Sequence, residues 1–89
     1  MAKKRNKLEI IADMLRSLKD RGKLKPTHLM YKANLSHGQM HSYLEELLGK
    51  EFVSRTDRSG YEYLIITDKG SAFLQRLREL QEFQDTFGL

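Results

Sequence analysis

The chain has 89 residues, a net charge of +4 and no cysteine. A domain of this size buries only somewhat over about 60% of the surface its unfolded chain exposes, so the core is thin and the useful surface is expected to be a helix face, a loop or a charged patch, not an enclosed catalytic pocket. The missing cysteines exclude a disulfide framework, a thiolate zinc site and a cysteine nucleophile, and no apolar run long enough for a signal peptide or membrane span follows the basic start Met1-Ala2-Lys3-Lys4-Arg5. The expectation is a soluble, cytoplasmic protein that binds and does not catalyse, with no cofactor.

Charge is unevenly spread. Residues 1–35 carry ten Lys or Arg against Glu9, Asp13 and Asp20, a balance of +7, whereas residues 36–89 carry six against nine, a balance of −3. A basic half attracts polyanions such as nucleic acid or an anionic membrane surface; ordinary solubility is the plain alternative.

In chain order, Ile10, Ile11, Met14, Leu15 and Leu18 recur on one helical face and predict a first helix over residues 7 to about 20, ended by Arg21-Gly22. Leu24-Lys25 is extended, because Pro26 disfavours helical geometry in the residue before it. Pro26 suits a helix start, and Thr27 to Ala33 makes a second helix of about two turns that stops at Asn34, a residue tolerant of left-handed geometry. Ser36 followed by Gln39 is a capping-box pattern and opens a third helix. Its inner stripe is Met40, Tyr43, Leu44, Leu47 and Leu48, its stop is Gly49, and its opposite face carries His37, Gln39, His41, Ser42, Glu45 and Glu46. Phe52–Thr56 and Tyr61–Ile66 are rich in β-branched and aromatic residues and flank the polar tip Asp57-Arg58-Ser59-Gly60, a hairpin. Thr67 caps a last helix from Asp68 to about Thr86, roughly 28 Å long, in which Phe73, Leu77, Leu80, Gln84 and Phe87 alternate steps of four and three.

Helix, short strand, short helix, tight turn, capped helix and hairpin, in that order, predict an α+β fold: a winged helix-turn-helix with a long C-terminal helix. Residues 1–67 form the winged-helix domain with its basic N-terminal arm, and residues 68–89 form a dimerisation helix packed on the same domain. In such a fold the third helix fits the DNA major groove and the hairpin is a wing that reaches neighbouring phosphate or the minor groove.

Three runs carry a family resemblance: Lys7-Leu8-Glu9-Ile10-Ile11, Met30-Tyr31-Lys32-Ala33-Asn34-Leu35-Ser36, and Tyr63-Leu64 leading to Thr67-Asp68-Lys69-Gly70. The chain resembles, over nearly its whole length, small archaeal winged-helix DNA-binding proteins of about ten kilodaltons. The resemblance implies a chromatin-associated or regulatory protein, cytoplasmic and nucleoid-associated, that dimerises through its last helix as an antiparallel coiled coil. Two features depart from the family: the last helix is shorter, and the third helix has Glu45 and Glu46 but no Lys or Arg before Lys50.

The candidate DNA contacts are Lys3, Lys4 and Arg5, with Lys7, on a flexible basic start; Lys32 on the second helix; Ser36, His37, Gln39, His41 and Ser42 on the third; and Arg55, Arg58 and Ser59 near the wing tip. Gln suits adenine and the wing guanidinium groups suit phosphate; against this, Gln39 is equally suited to the capping box, and turn residues or a basic tail are often merely solvated. His37 and His41 stand four residues apart, a separation two metal ligands can use. Metal is not expected, since the first His is not followed by the Glu of the zinc-protease motif and no third ligand is near. Tyr31, Tyr43, Phe52, Tyr61, Tyr63 and Phe73 read as core and sheet packing, not a base-stacking platform. Phe73, Leu77, Leu80, Phe83, Gln84 and Phe87 are the candidate dimer seam. Double-stranded DNA and a second copy of the chain are the expected partners, with no membrane and no small-molecule ligand evident. The rival reading is a winged-helix protein-interaction module without direct DNA binding, for which Glu45 and Glu46 speak.

Overall fold

The computed structural model describes residues 4–89, so the Lys3 assignment lies outside the described residues. The order is α1 (Lys7–Arg21), α2 (Pro26–Lys32), α3 (His37–Gly49), β1 (Val53–Arg58), β2 (Tyr61–Ile66) and α4 (Asp68–Phe87): a winged helix with a long last helix, as the sequence predicts. Every element faces one core, whose fully buried side chains are Met14, Leu15, Leu18, Leu29, Leu47, Leu64 and Leu74.

Both short helix ends are closed by residues other than glycine. After α2, Asn34 takes φ 55, its N–H donates to Tyr31 O at 3.1 Å and the Leu35 N–H to Met30 O at 2.9 Å, the paired bonds that satisfy last-turn carbonyls. After α3 the reversal falls at Glu51, φ 62, and not at Gly49, which is the last helical residue. The Glu51 N–H donates to Leu48 O at 3.1 Å and the Phe52 N–H to Leu47 O at 3.0 Å. Phe52 is thus spent on the helix end, and β1 begins one residue later than its aromatic side chain suggests.

β1 and β2 pair antiparallel from Val53↔Ile66 to Arg58↔Tyr61. The turn is only Ser59-Gly60, both at positive φ (54 and 83), the two-residue type whose twist matches the strands. Asp57 and Arg58 therefore belong to the ladder, not to a four-residue tip. On its far edge β2 takes one more partner: Leu24 and Leu64 exchange backbone hydrogen bonds of 3.1 and 2.7 Å.

At the other end of the hairpin, the Thr67 hydroxyl accepts the Gly70 N–H at 2.9 Å and donates to Glu51 O at 2.6 Å, capping α4 and pinning it to the α3–β1 turn. The approach is so close that a Cβ on Gly70 would collide with the Phe52 carbonyl oxygen and the Ile66 side chain. Phe52 and Phe73 stack beside it, ring centroids 4.5 Å apart.

Two glycine exchanges should therefore move stability in opposite directions. Gly70→Ala should cost about 1–3 kcal/mol by overpacking. Glu51→Gly relieves a left-handed non-glycine residue, offset partly by glycine's entropy, and should gain up to about 1 kcal/mol. Thermal melts read both, at about 4–8 °C per kcal/mol; equal shifts of one sign would contradict this account of the two turns.

Candidate nucleic-acid interface

α3 is fixed at its start by a complete capping box: Ser36 Oγ accepts the Gln39 N–H at 3.2 Å, and Gln39 Oε1 accepts the Ser36 N–H at 3.1 Å. Gln39 keeps its exposed position, but its carbonyl oxygen is engaged, leaving the amide NH2 as its free donor. Arg5 braces the turn in front. Its guanidinium donates to Asp13 Oδ2 at 2.7 Å and to the Asn34 carbonyl at 2.8 Å, so Arg5 ties α1 to the α2–α3 turn and is not part of a loose arm. Lys7, the first residue of α1, pairs with Glu46 at 2.9 Å. Of the basic start, Lys4 is exposed and makes no ion pair among the described residues.

The outward side of α3 presents His37, Gly38, Gln39, His41, Ser42 and Glu45, all exposed. Glu46 lies on the same side, one turn after Ser42, but is half-buried by its pair with Lys7. No group of three or more potential metal-ligating side chains forms among the described residues.

Beside α3 stands the wing, and its two arginines part company. The register puts Arg55, Asp57, Glu62 and Leu64 on one face of the sheet, and Thr56, Arg58, Tyr61 and Tyr63 on the other. Arg55 lies between two carboxylates, 3.2 Å from Glu62 and 3.8 Å from Glu45 on α3. It links wing to helix and its charge is locally compensated. Arg58 and Ser59 are exposed at the tip, and Arg58 has no ion pair among the described residues. Residues 55 and 58 have opposite parity, so the pleat puts the two wing guanidinium groups on opposite faces of the sheet and leaves only Arg58 without a carboxylate partner.

The aromatic residues also divide. Tyr43, Phe52 and Phe73 are half-buried against the core and Tyr63 is half-buried on the other face of the sheet, but Tyr31 is 72% and Tyr61 57% exposed, against the reading of all six as packing. Tyr61 and Tyr63 are covered from one side by lysines, Lys25 Nζ 4.3 Å and Lys23 Nζ 4.7 Å from the respective ring centroids. Neither lysine was a candidate from the sequence, although the alternation Lys23-Leu24-Lys25 against Tyr61-Glu62-Tyr63 carries the period of two that aligns them. Lys32 is exposed on α2, in an open cleft lined by Arg21, Leu24, His28 and Tyr31.

At the other pole, α4 leaves the body. Phe73 and Leu77 are half-buried and Leu74 is buried, but every residue from Glu79 onward is exposed, including Leu80, Phe83, Gln84 and Phe87. The candidate seam thus splits: Phe73 packs on the protein's own core, Leu77 is half-buried beside an open cleft, and the rest are exposed.

A short helix bracing a capped, solvent-facing helix next to a tightly turned hairpin defines a winged helix-turn-helix protein. The chain belongs to the winged helix-turn-helix family, which it matches over residues 4–85. It is 35% identical over 77 residues, 86% of its length, to an uncharacterized protein of Methanocaldococcus jannaschii, and it spans only 34% of that relative. Among solved structures it is similar to Sso10a-2, a DNA-binding protein from Sulfolobus solfataricus (TM-score 0.80, 22% identity, 93% of this chain and 85% of that one). It is also similar to a winged-helix DNA-binding protein from STIV (TM-score 0.72, 17% identity, 91% and 92% of the two chains). No helix among the described residues is long and apolar enough to cross a membrane.

The cap is the part of this geometry most simply tested. Ser36→Ala should cost about 1 kcal/mol, read as a lower melting temperature and faster amide exchange at residues 37–39; an unchanged melt would mean that the neighbouring packing alone sets the start of α3.

Proposed function

We propose that this protein binds double-stranded DNA as a homodimer and serves transcriptional regulation or DNA organisation, on the nucleoid of the cytoplasm. The observation that carries the reading is the open face of α3: a capped helix with Gln39, His41 and Ser42 exposed, free of any covering element and flanked by a wing with Arg58 and Ser59 at its tip. The Sso10a-2 and STIV proteins, which share the fold, are DNA-binding proteins. In this reading α3 enters the major groove, His37, Gln39, His41 and Ser42 supply base contacts with Ser36 at the helix mouth, and Lys4, Lys32 and Arg58 meet phosphate. Arg55 sets the angle between wing and helix. A second reading, docking of α3 to a protein, is favoured by one observation: Glu45, Asp57 and Glu62 surround Arg55 and make the strip between helix and wing acidic.

Duplex binding at several salt concentrations separates the two. Phosphate neutralisation gives a log–log slope of about −0.9 per contact; an absent or flat response supports the protein partner. Arg58→Ala should weaken binding to unrelated duplexes alike and reduce the slope by about 0.9, while Glu45→Gln, which removes a carboxylate from the groove-facing side, should tighten it. No change from either would remove the wing and α3 from the interface.

For assembly, the support is the outer half of α4. Leu80, Phe83 and Phe87 are 50%, 54% and 64% exposed, and the Phe83 and Phe87 rings stand 4.7 Å apart. Beside them lies an open cleft of about 360 Å³ between α4 and the start of α1, where Leu8, Ala12, Leu77 and Leu80 alternate with polar side chains such as Glu9 and Gln84. An apolar strip of this kind is covered by a second α4 running antiparallel, with Gln84 as a register-setting polar residue in the seam. Sedimentation should give a dimer for the full chain and a folded monomer for Leu80→Asp/Phe83→Asp, circular dichroism confirming the fold. A wild-type monomer at tens of micromolar would sink the assembly.

A further inference from the structure

We infer that the outer face of the sheet is a second phosphate-binding surface, built by Lys23 and Lys25 over Tyr63 and Tyr61, which holds the backbone of a further DNA segment independently of α3. It rests on the DNA reading above for its ligand, not for its geometry.

The pleat separates charge. Asp57 and Glu62 share the inner face with Arg55, next to α3. The outer face carries Arg58, Tyr61 and Tyr63, and the Leu24↔Leu64 bridge adds Lys23 and Lys25 to that side. No acidic residue occurs between Asp20 and Glu45, and none of Arg21, Lys23, Lys25 and Lys32 makes an ion pair among the described residues. Of the cations beside α3, Arg55 lies between two carboxylates and Arg5 and Lys7 have one each, while Lys4 and the C-cap Lys50 make no ion pair among the described residues. A run of cations with no carboxylate partner, Arg21, Lys23, Lys25 and Lys32, thus lies around the edge strand, with Arg58 on the adjoining outer face.

How those lysines are held matters as much as where they lie. A carboxylate partner fixes an ammonium but cancels its charge. A tyrosine ring fixes it through the quadrupole and leaves the charge whole. At 4.7 and 4.3 Å from their ring centroids, Lys23 and Lys25 are positioned with part of their side-chain entropy already lost, yet remain full cations. They are two residues apart on one strand face, about 6.6 Å at the rise of a β-strand, a separation comparable to that of successive phosphates along a DNA strand. Tyr61, more than half exposed, adds a hydroxyl that can donate to phosphate oxygen. Nothing on this face reads a base, so the binding is sequence-independent. The competing explanation is that lysines flanking a one-residue edge strand serve only to stop edge-to-edge pairing.

Amide chemical-shift mapping of the 15N-labelled full chain with a short duplex of unrelated sequence separates these. The expected result is that signals of Lys23, Lys25, Tyr61 and Tyr63 move as well as those of His37 to Ser42. In Lys23→Gln/Lys25→Gln the first set should stop moving, the second should keep its midpoint, and the salt slope should fall in magnitude by roughly 1.8, 0.9 for each phosphate. Immobile outer-face signals in the wild type, with α3 responding, would overturn the second surface and leave the DNA reading intact. Loss of the α3 response in the double variant would overturn its independence. Movement of the outer face alone would uphold the surface and defeat the assignment of α3, and no movement anywhere would defeat both. The wild-type mapping decides even if the variant folds poorly.

Discussion

The exchange of two backbone hydrogen bonds between Leu24 and Leu64, at 3.1 and 2.7 Å, is the join on which the rest of this small structure depends. A domain this size has one thin core, and its helical half and its hairpin must both contribute to it. Leu24 and Leu64 do so from opposite sides of the join, both buried. Pro26, which begins α2, keeps the residue before it extended, so the segment that pairs with β2 also turns directly into the helix that braces α3. With Leu24 held inward, the alternation of a strand sends Lys23 and Lys25 outward. Core formation and surface charge are thus set by the same two bonds.

The second organising feature is the treatment of cations. Three of those near α3 are tied down by carboxylates: Arg5 to Asp13, Lys7 to Glu46, Arg55 to Glu45 and Glu62. All are solvent-accessible pairs, each worth at most about 1 kcal/mol, so their effect is on geometry more than on stability. Arg5 holds the turn before α3, Lys7 its far end and Arg55 its angle to the wing. Three weak contacts orient one helix. Gains in orientation come with neutralisation of charge, so Arg5, Lys7 and Arg55 serve the placement of α3 more than they add free positive charge beside it.

Most of the fold was legible because its signals are local. The helices follow from period and caps, Ser36-x-x-Gln39 above all, and β2 from its run of aromatic and branched residues. The errors have local causes too. Phe52 looks like strand but its N–H is taken by the end of α3, and Asp57-Arg58 look like loop because turn-forming Ser59-Gly60 needs only two residues. The site was less legible. Arg5 to Asn34 spans 29 residues and leaves no pattern in sequence. Tyr31 sits on a helix of seven residues, too short for its inner and outer faces to be told apart by period. Arg55 and Arg58 read as a pair until the register, which no composition reveals, shows them on opposite faces. Glu45 and Glu46 both fall on the outward arc of α3, and what half-buries Glu46 is its pair with Lys7, 39 residues away, which leaves no pattern in sequence.

The outer half of α4 brings these features together. Its exposed Leu80, Phe83 and Phe87 lie at the pole where the chain leaves the body, and the caps and turns that set α3 lie elsewhere. Pairing there would need no change in the recognition face or the outer sheet. A dimer built so would carry two of each surface on one frame, and Gln84 in the seam would fix register, and hence the distance between the two α3 helices, against the roughly 34 Å repeat of a duplex. If that distance matches, both helices engage one duplex and the outer lysines remain open to another. If it does not, each α3 takes its own duplex and the outer lysines lie between them. In either arrangement of the proposed dimer the outer-sheet lysines would act between DNA segments and the exposed hydrogen-bonding groups of α3 within one, a division that would follow from which cations the carboxylates cancel and which the tyrosines leave whole.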